Sequence, residues 1–325
     1  VAEAVYVGNR GYDIEITRNI NALPNTYLNT DNSRTAAMNS NNTFLTAQVA
    51  NPFRGLAEFQ GTGLFNSTIA RSQLLRPFPA FGDINTSNND GKSWYHAGQF
   101  RVEKRFSQGY TVQGSYTWSK WIQATEYLNA ADPEPTRMIS DQDVRHRISM
   151  SAMYSLPFGK GRAFLTDANG LMNAFVGGWQ IQGVTQLQSG FPIVFANDAF
   201  YSGSEVSIPS DARTTSQWFN TAAFTSVLNA TATNATPVNH LRTLPFRFDS
   251  ARRDYIKNVD LSLLKDIQIR EQMRVQLRLE FINAFNEPYF PGPVVNPTSS
   301  AFGQISAANQ ENYARRAQIG VKFLF

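Results

Sequence analysis

Ala317-Gln318-Ile319-Gly320-Val321-Lys322-Phe323-Leu324-Phe325 alternates almost strictly in polarity. Ala317, Ile319, Val321, Phe323 and Phe325 fall on one face of an extended chain, and Gln318, Gly320 and Lys322 on the other; Leu324 alone breaks the pattern. A period of two predicts a strand with one apolar and one polar face. Roughly nine to eleven residues is also what a tilted strand needs to cross a bilayer. Chain termini ordinarily fray into solvent, so so apolar an end is unusual for a protein in water. A membrane barrel whose last strand completes its wall has a use for it. The segment points to an all-β fold, an antiparallel transmembrane β-barrel.

The bulk numbers permit this. Hydrophobic residues make up 42% of the 325, yet they never run together far enough for a membrane helix, which needs about 18 or more in a row. Barrel strands escape that criterion because each apolar residue has a polar neighbour. The 24 Phe and 12 Tyr suit aromatic girdles at the membrane interfaces; they would also suit the core of a soluble β-sandwich. With no cysteine there is no disulfide framework, thiolate metal site or cysteine nucleophile. The net charge of +4 is spread along the chain, without a Lys/Arg block, so nucleic acid is not an expected partner. Val1 begins inside a strand-like pattern, with no charged and apolar leader; a removed signal or a longer parent protein is expected.

Other segments repeat the pattern. Residues 1–10 alternate loosely and stop at the turn signal Gly8-Asn9-Arg10-Gly11. A stretch rich in Asn, Thr, Ser and Gly then reads as a loop to about residue 92, closing on Asn88-Asn89-Asp90-Gly91. Such a loop is against the odds in a compact soluble domain and ordinary outside a membrane barrel. In the clearest hairpin, Phe100, Val102, Lys104 and Phe106 oppose Gln99, Arg101, Glu103 and Arg105. After the turn Ser107-Gln108-Gly109, Tyr110, Val112, Tyr116 and Trp118 oppose Thr111, Gln113, Ser115 and Thr117. Residues 122–143 read as loop, 146–156 as strand, 163–177 as an irregular link with room for a short helix, and 179–188 as strand. A second long loop fills 190–255; a hairpin from Val259 to Phe281 turns at Arg270-Glu271-Gln272, and a loop over 286–313 leads to the closing strand. The total is about eight strands, with short connections near 108, 165 and 271 and long ones near 50, 130, 220 and 300. Short on one side and long on the other is the sidedness of an outer-membrane barrel.

Several segments are similar to the C-terminal half of TonB-dependent outer-membrane receptors, especially Oar-like members with an N-terminal carboxypeptidase-regulatory-like domain. The resemblance rests on Tyr6-Val7-Gly8-Asn9-Arg10-Gly11, Val102-Glu103-Lys104-Arg105-Phe106, Ser115-Tyr116-Thr117-Trp118-Ser119-Lys120 and Arg145-His146-Arg147. It continues in Leu156-Pro157-Phe158-Gly159-Lys160-Gly161, Gly177-Gly178-Trp179-Gln180 and Leu187-Gln188-Ser189-Gly190-Phe191-Pro192. Asp260-Leu261-Ser262-Leu263-Leu264-Lys265 and Glu280-Phe281-Ile282-Asn283-Ala284-Phe285-Asn286 complete it. It implies a barrel of about 22 strands around an N-terminal plug, of which residues 1–325 would be the C-terminal portion, lacking plug and signal peptide. It further implies the outer membrane of a Gram-negative bacterium, energised uptake of a scarce or bulky ligand, and four partners: outer-membrane lipid, the plug and upstream strands, the TonB complex through the missing N-terminal region, and the unidentified ligand. In that family a terminal aromatic is an address for the barrel-assembly machinery. Phe323 and Phe325 would serve, and Phe325 would be the true end of the protein.

For chemistry, the sequence offers binding surfaces rather than a catalytic centre, so neither an enzyme nor a cofactor is expected. Arg101, Glu103, Arg105, Arg147, Arg278 and Glu280 share the polar face and would line the lumen and hold a plug, or else satisfy one another across neighbouring strands. Phe59, Phe65, Tyr201 and Trp218 are candidate ligand contacts among loop aromatics that could instead pack the loops into an ordered cap. Trp94, Tyr95, Trp118 and Trp179 are candidate interface anchors. His96, His146 and His240 lack metal-site spacing and read as surface or strand-end residues. Asp132 and Glu134 could pair as general acid and base, or bind Ca²⁺ together with Asp141 and Asp143, but Pro133 and Pro135 mark an exposed loop without regular ligand spacing, which reads as solvated loop charge. Two competing classes stay open: a structural or adhesive surface barrel that binds a partner through its loops without transport, and a secreted β-sandwich.

Overall fold

Eight long strands pair in chain order into one antiparallel sheet: β1 (Ala2–Asn19), β2 (Asn85–Ser107), β3 (Tyr110–Ala124), β4 (His146–Ser155), β5 (Trp179–Gln188), β6 (Ile256–Arg270), β7 (Met273–Ile282) and β8 (Arg316–Leu324). Met138–Ile139 adds a short ninth segment beside β3. The structure, a computed structural model, describes residues 1–224, 237–270, 273–306 and 310–325. The expected turn at Glu271 and Gln272 lies outside them. Among the described residues β1 and β8 are the sheet's two edges and do not pair with each other.

The register carries the alternation from strand to strand. One cross-strand row reads Ile319, Leu279, Leu263, Ile181, Tyr154 and Tyr110; the row one residue away reads Gln318, Glu280, Ser262, Gln182, Met153 and Thr111. Because a one-residue slip would exchange the faces, this agreement across six strands fixes the pairing. Among the described residues no second sheet covers the apolar face: Ile319 is 80% exposed and Trp118 59%. A β-sandwich would cover that face. The hairpin β2–β3 turns on Gln108 (φ 53°) and Gly109 (φ 85°), both left-handed, as a two-residue turn matched to strand twist requires.

The strands outrun their sequence signals at several points. Gly8-Asn9-Arg10-Gly11 is not a turn; it lies inside β1, which continues to Asn19 through irregularities at Gly11/Ile14 and Ile14/Ile16. Asn88-Asn89-Asp90-Gly91 likewise belongs to β2. A Cβ on Gly91 would stand 2.6 Å from the Ile14 carbonyl oxygen, so this glycine serves close backbone approach at the irregularity rather than chain reversal. The link over 163–177 does hold a helix, Gly170–Val176.

The buried apolar cluster lies not under the sheet but among the long connections. Phe195, Phe219 and Phe224 from the 190–255 segment pack edge-on and face-on with one another and with Phe302 from the last loop. Two short strands, Pro192–Val194 and Arg247–Arg252, pair within this cap. The first long connection is also folded. Its helix Ala36–Thr46 is capped by Thr35, and the fully buried Asn21 donates to the carbonyls of Phe78, Phe81 and Gly82 while accepting from the Phe78 N–H.

Candidate functional site: the polar face and the mouth of the loop cap

The six charged residues expected on one face do share it. Arg101 and Glu103 lie on β2, facing Ser115 and Gln113 of β3; Arg147 of β4 faces Thr117 and Gln188; Arg278 and Glu280 of β7 face Gly320 and Gln318. Their pairing runs along strands more than across them. Arg101 Nη2 is 2.8 Å from Glu103 Oε2, Arg105 Nε is 3.5 Å from Glu103 Oε1, and Arg278 Nη1 is 3.8 Å from Glu280 Oε1. Residues two apart point the same way on a strand, which allows this. Across strands, Gln318 Nε2 donates to Glu280. Such half-exposed pairs contribute only about 0–1 kcal/mol each, so they dress a wet surface rather than hold the sheet.

At the long-loop end of this face is a cleft of about 580 Å³, lined by Asn9, Tyr95, Gln99, Trp121, Gln142 and Arg147 among others. Tyr95 therefore does not anchor the apolar side: it pairs across strands with Trp121, packs edge-on to it at 6.2 Å, and faces the cleft. The Trp121 indole N–H donates to Ser93 Oγ at 2.8 Å. Trp94 and Trp118, in the other phase, stay on the apolar face near this end, and Trp179 lies there at the opposite end. On the same face His96 and His146 share hydrogen bonds at Nδ1 with the hydroxyls of Tyr6 and Tyr116; His146 opens β4, whereas His96, expected at a strand end, lies inside β2, which already begins at Asn85.

Two of the loop charges expected to be solvated, Asp143 directly behind the cleft and Asp132, are structural, whereas Glu134 is exposed as expected. Asp143 is 1% exposed; its carboxylate accepts from the Trp121 N–H at 2.6 Å and from Arg252 Nη2 at 2.6 Å. Arg252 also reaches the carbonyls of Asp143 and Gly190 and the carboxylate of Asp249, which in turn holds Lys120 and Arg145. One network thus ties β3, the 122–143 loop and the 190–255 loop. Burial pushes the Asp249 carboxyl up, but hydrogen bonds from Lys120 and Arg252 and the nearby Arg145 charge outweigh it and leave it below the ordinary value. Asp132 is equally engaged, accepting from the Asn129 N–H and Asn25 Nδ2. Buried carboxylates need such partners, and no sequence spacing announces them.

Arg242 is a residue that sequence reading passed over. Its guanidinium donates to the carbonyls of Phe195, Ala196 and Leu244, and burial pushes its pKa down. His240 was read as a surface residue but is buried: Nδ1 lies 2.8 Å from Asp198 Oδ2 and Nε2 3.0 Å from the Asp31 carbonyl, stitching the first long connection to the cap. Of the four aromatics proposed for ligand contact, Trp218 is packed inside the cap, its indole N–H on the Arg252 carbonyl, and Tyr201 leans on Phe224 and Phe248. Phe59 packs on Phe53, and Phe65 is exposed. Packing within the cap is what holds Trp218 and Tyr201. Phe323 lies on the apolar face with Val275 as its partner, and Phe325 is 98% exposed.

An open antiparallel sheet with a bare apolar face, a polar face opposite it, short turns at one end and a folded loop cap at the other describes the wall of a membrane barrel. Among the described residues no helix is long and apolar enough to cross a membrane, which says nothing against crossing by strands. No curated protein matches the chain in sequence. Residues 1–318 match the family model described as the outer membrane beta barrel domain, so the chain belongs to that family, and its place is the outer membrane of a Gram-negative type of envelope.

Proposed function

We propose that the chain is the C-terminal part of the wall of a TonB-dependent receptor that takes a scarce or bulky ligand through the outer membrane. The observation that carries this reading is the sheet itself: eight consecutive strands keep one apolar and one polar face, yet its two edge strands β1 and β8 do not pair. An edge with free N–H and C=O groups is untenable in lipid, so further strands of the same barrel would pair with both edges. About 22 strands enclose a lumen wide enough for a plug, and the polar face with Arg101, Glu103, Arg105, Arg147, Arg278 and Glu280 would then meet plug and ligand. Phe65 and Phe59 of the first long connection and Tyr201 of the cap would be offered to ligand, and Phe323 and Phe325 would be read during assembly.

The gene upstream of Val1 tests this. A signal peptide, a plug domain and a TonB-contacting box, with cross-linking of the complete product to TonB in cells, are the expected findings. A coding start close to Val1, or no TonB cross-link, would sink the transport reading. A second reading has its own support in the first long connection, where Phe78 and Phe81 are held exposed by the buried Asn21. A structural or adhesive barrel would use such loops to bind a partner. It predicts cell-surface binding that persists when TonB is deleted.

A further inference from the structure

The connection between β4 and β5, residues 156–178, emerges at the short-turn end of the sheet and carries more exposed apolar surface than a water-facing link should. Phe158, Phe164, Leu165, Leu171, Met172 and Phe175 are all exposed, Leu171 at 77% and Phe175 at 72%. The segment is not loose. Asn169 caps the helix Gly170–Val176 by accepting from the Met172 N–H at 2.9 Å, and Asn173 Oδ1 accepts from the Lys160 N–H at 2.8 Å. The Phe164 carbonyl accepts from the Gly159 N–H, and Phe158 packs on Phe164 at 5.6 Å. A backbone this well satisfied holds its hydrophobic side chains outward as a fixed patch.

The patch adjoins the apolar face and not the polar one. Trp179 and Lys265 are cross-strand partners, and Lys265 also faces Leu277, in the phase of Val321. The Trp179 indole N–H donates to the Phe175 carbonyl at 2.8 Å, and the Lys265 ammonium donates to the carbonyls of Phe175 and Gly177 and sits 5.2 Å from the Trp179 ring centre. The helix C-terminus is therefore pinned onto the rim of the wall that meets lipid. Lys160 and Arg162 are exposed beside it, against the single acidic residue Asp167 within the link. Apolar side chains continuous with a lipid-facing wall, flanked by cations, have the composition of an interfacial anchor.

We infer that residues 156–178 form an in-plane membrane anchor that buries Leu171 and Phe175 in the periplasmic phospholipid leaflet, with Lys160 and Arg162 at its phosphates. This rests on the barrel reading, because only the sidedness of short turns makes that leaflet periplasmic. Interfacial helices sink roughly 5–10 Å into the headgroup–acyl boundary, so the side chains reach shallow lipid and not the bilayer centre. The anchor extends the wall's contact with one leaflet and fixes the height at which the barrel sits.

The chain has no cysteine, so single thiols can report from chosen sites. The complete gene product, with any upstream cysteine replaced by serine, is reconstituted in vesicles of phosphatidylethanolamine with a minor share of phosphatidylglycerol. Leu171→Cys and Phe175→Cys carry a polarity-sensitive fluorophore, Ile319→Cys reports the wall, and Asp211→Cys reports the cap. At 171 and 175 the emission should shift to the blue, and a nitroxide near the lipid headgroup should quench it by roughly twofold, more than a nitroxide deep in the chain. Water-like emission like that at 211 would overturn the anchor, and so would blue-shifted emission that lipid nitroxides leave unquenched, which means a protein cover. If 319 is also unquenched, the lipid-facing wall fails and the anchor falls with it; if 319 is quenched and 171 and 175 are not, the anchor alone is wrong.

Discussion

Asp143 and Arg252 place opposite charges 2.6 Å apart where solvent scarcely reaches, and each has further hydrogen bonds that neutral groups could not replace in kind. Removing one partner strands the other, which costs about 3–5 kcal/mol, whereas an exposed pair such as Arg101–Glu103 is worth about 0–1. Asp143→Ala should therefore open the cap to limited proteolysis at protease levels that leave the parent intact, while Glu103→Gln leaves the cleavage pattern unchanged. Protons should have a similar effect at Asp249. Its folded-state pKa lies below the ordinary value, so the stability it confers is complete above about pH 4, its unfolded value, and is lost as pH falls through the folded one. Asp254 runs the other way. Burial raises its pKa despite hydrogen bonds from Phe290 and Tyr255, so its contribution grows as pH falls toward the unfolded value. Cap protection followed by protease resistance should thus hold on mild acidification and fail below about pH 4; loss beginning near neutrality would contradict the assignment to Asp249.

Among the elements, the β2–β3 hairpin depends most on two backbone angles. Gly109 is left-handed, and a Cβ there would meet the Ser155 carbonyl at 3.2 Å. A β-branched residue in that region is strained by about 1–2 kcal/mol. Gly109→Val should lower the urea midpoint of the membrane-inserted protein, and Gln108→Asn, which supplies the favoured Asn-Gly pair, should leave it equal or higher. This turn was legible in the sequence because its signal is local, as was the phase of the strands wherever alternation is regular, since period two survives whatever the partner; residues 11–19, and 85–92, which are polar throughout, read as loop instead. Strand ends were less legible. Gly8 to Gly11 and Asn88 to Gly91 carry turn residues, but β1 and β2 extend each other through a ladder that resumes beyond its two irregularities, and a weak local preference yields to paired hydrogen bonds. The site divides in the same way: Arg101, Arg147 and Glu280 were placed on their face by parity, while Asp143, Arg242 and His240 owe their roles to contacts roughly 40–210 residues away in sequence, which no spacing encodes.

For the whole molecule, the decisive question is what solvent meets the bare apolar face, and adjacent residues of β8 answer it. Ile319 lies on that face, 80% exposed, and Gln318 lies on the opposite one beside Glu280. In water an arginine at either site would be harmless, since exposed surface accepts charge within about 0.5 kcal/mol. In a bilayer the two diverge. Arginine on the lipid face costs about 2–4 kcal/mol near the midplane, because no water or counter-charge is at hand, whereas the wet face accepts it and Glu280 offers a partner. Ile319→Arg should therefore lower the heat-modifiable, folded fraction in outer-membrane preparations and the urea midpoint in vesicles, and Gln318→Arg should leave both near the parent values. Equal behaviour of the two variants would mean that both faces meet water, and the membrane wall would have to be abandoned. The same experiment weighs the open edges. If the upstream strands that would pair with β1 and β8 are present, the cost at Ile319 falls on a closed wall and the protein still inserts; in the isolated chain, with both edges bare, the same substitution should abolish insertion altogether.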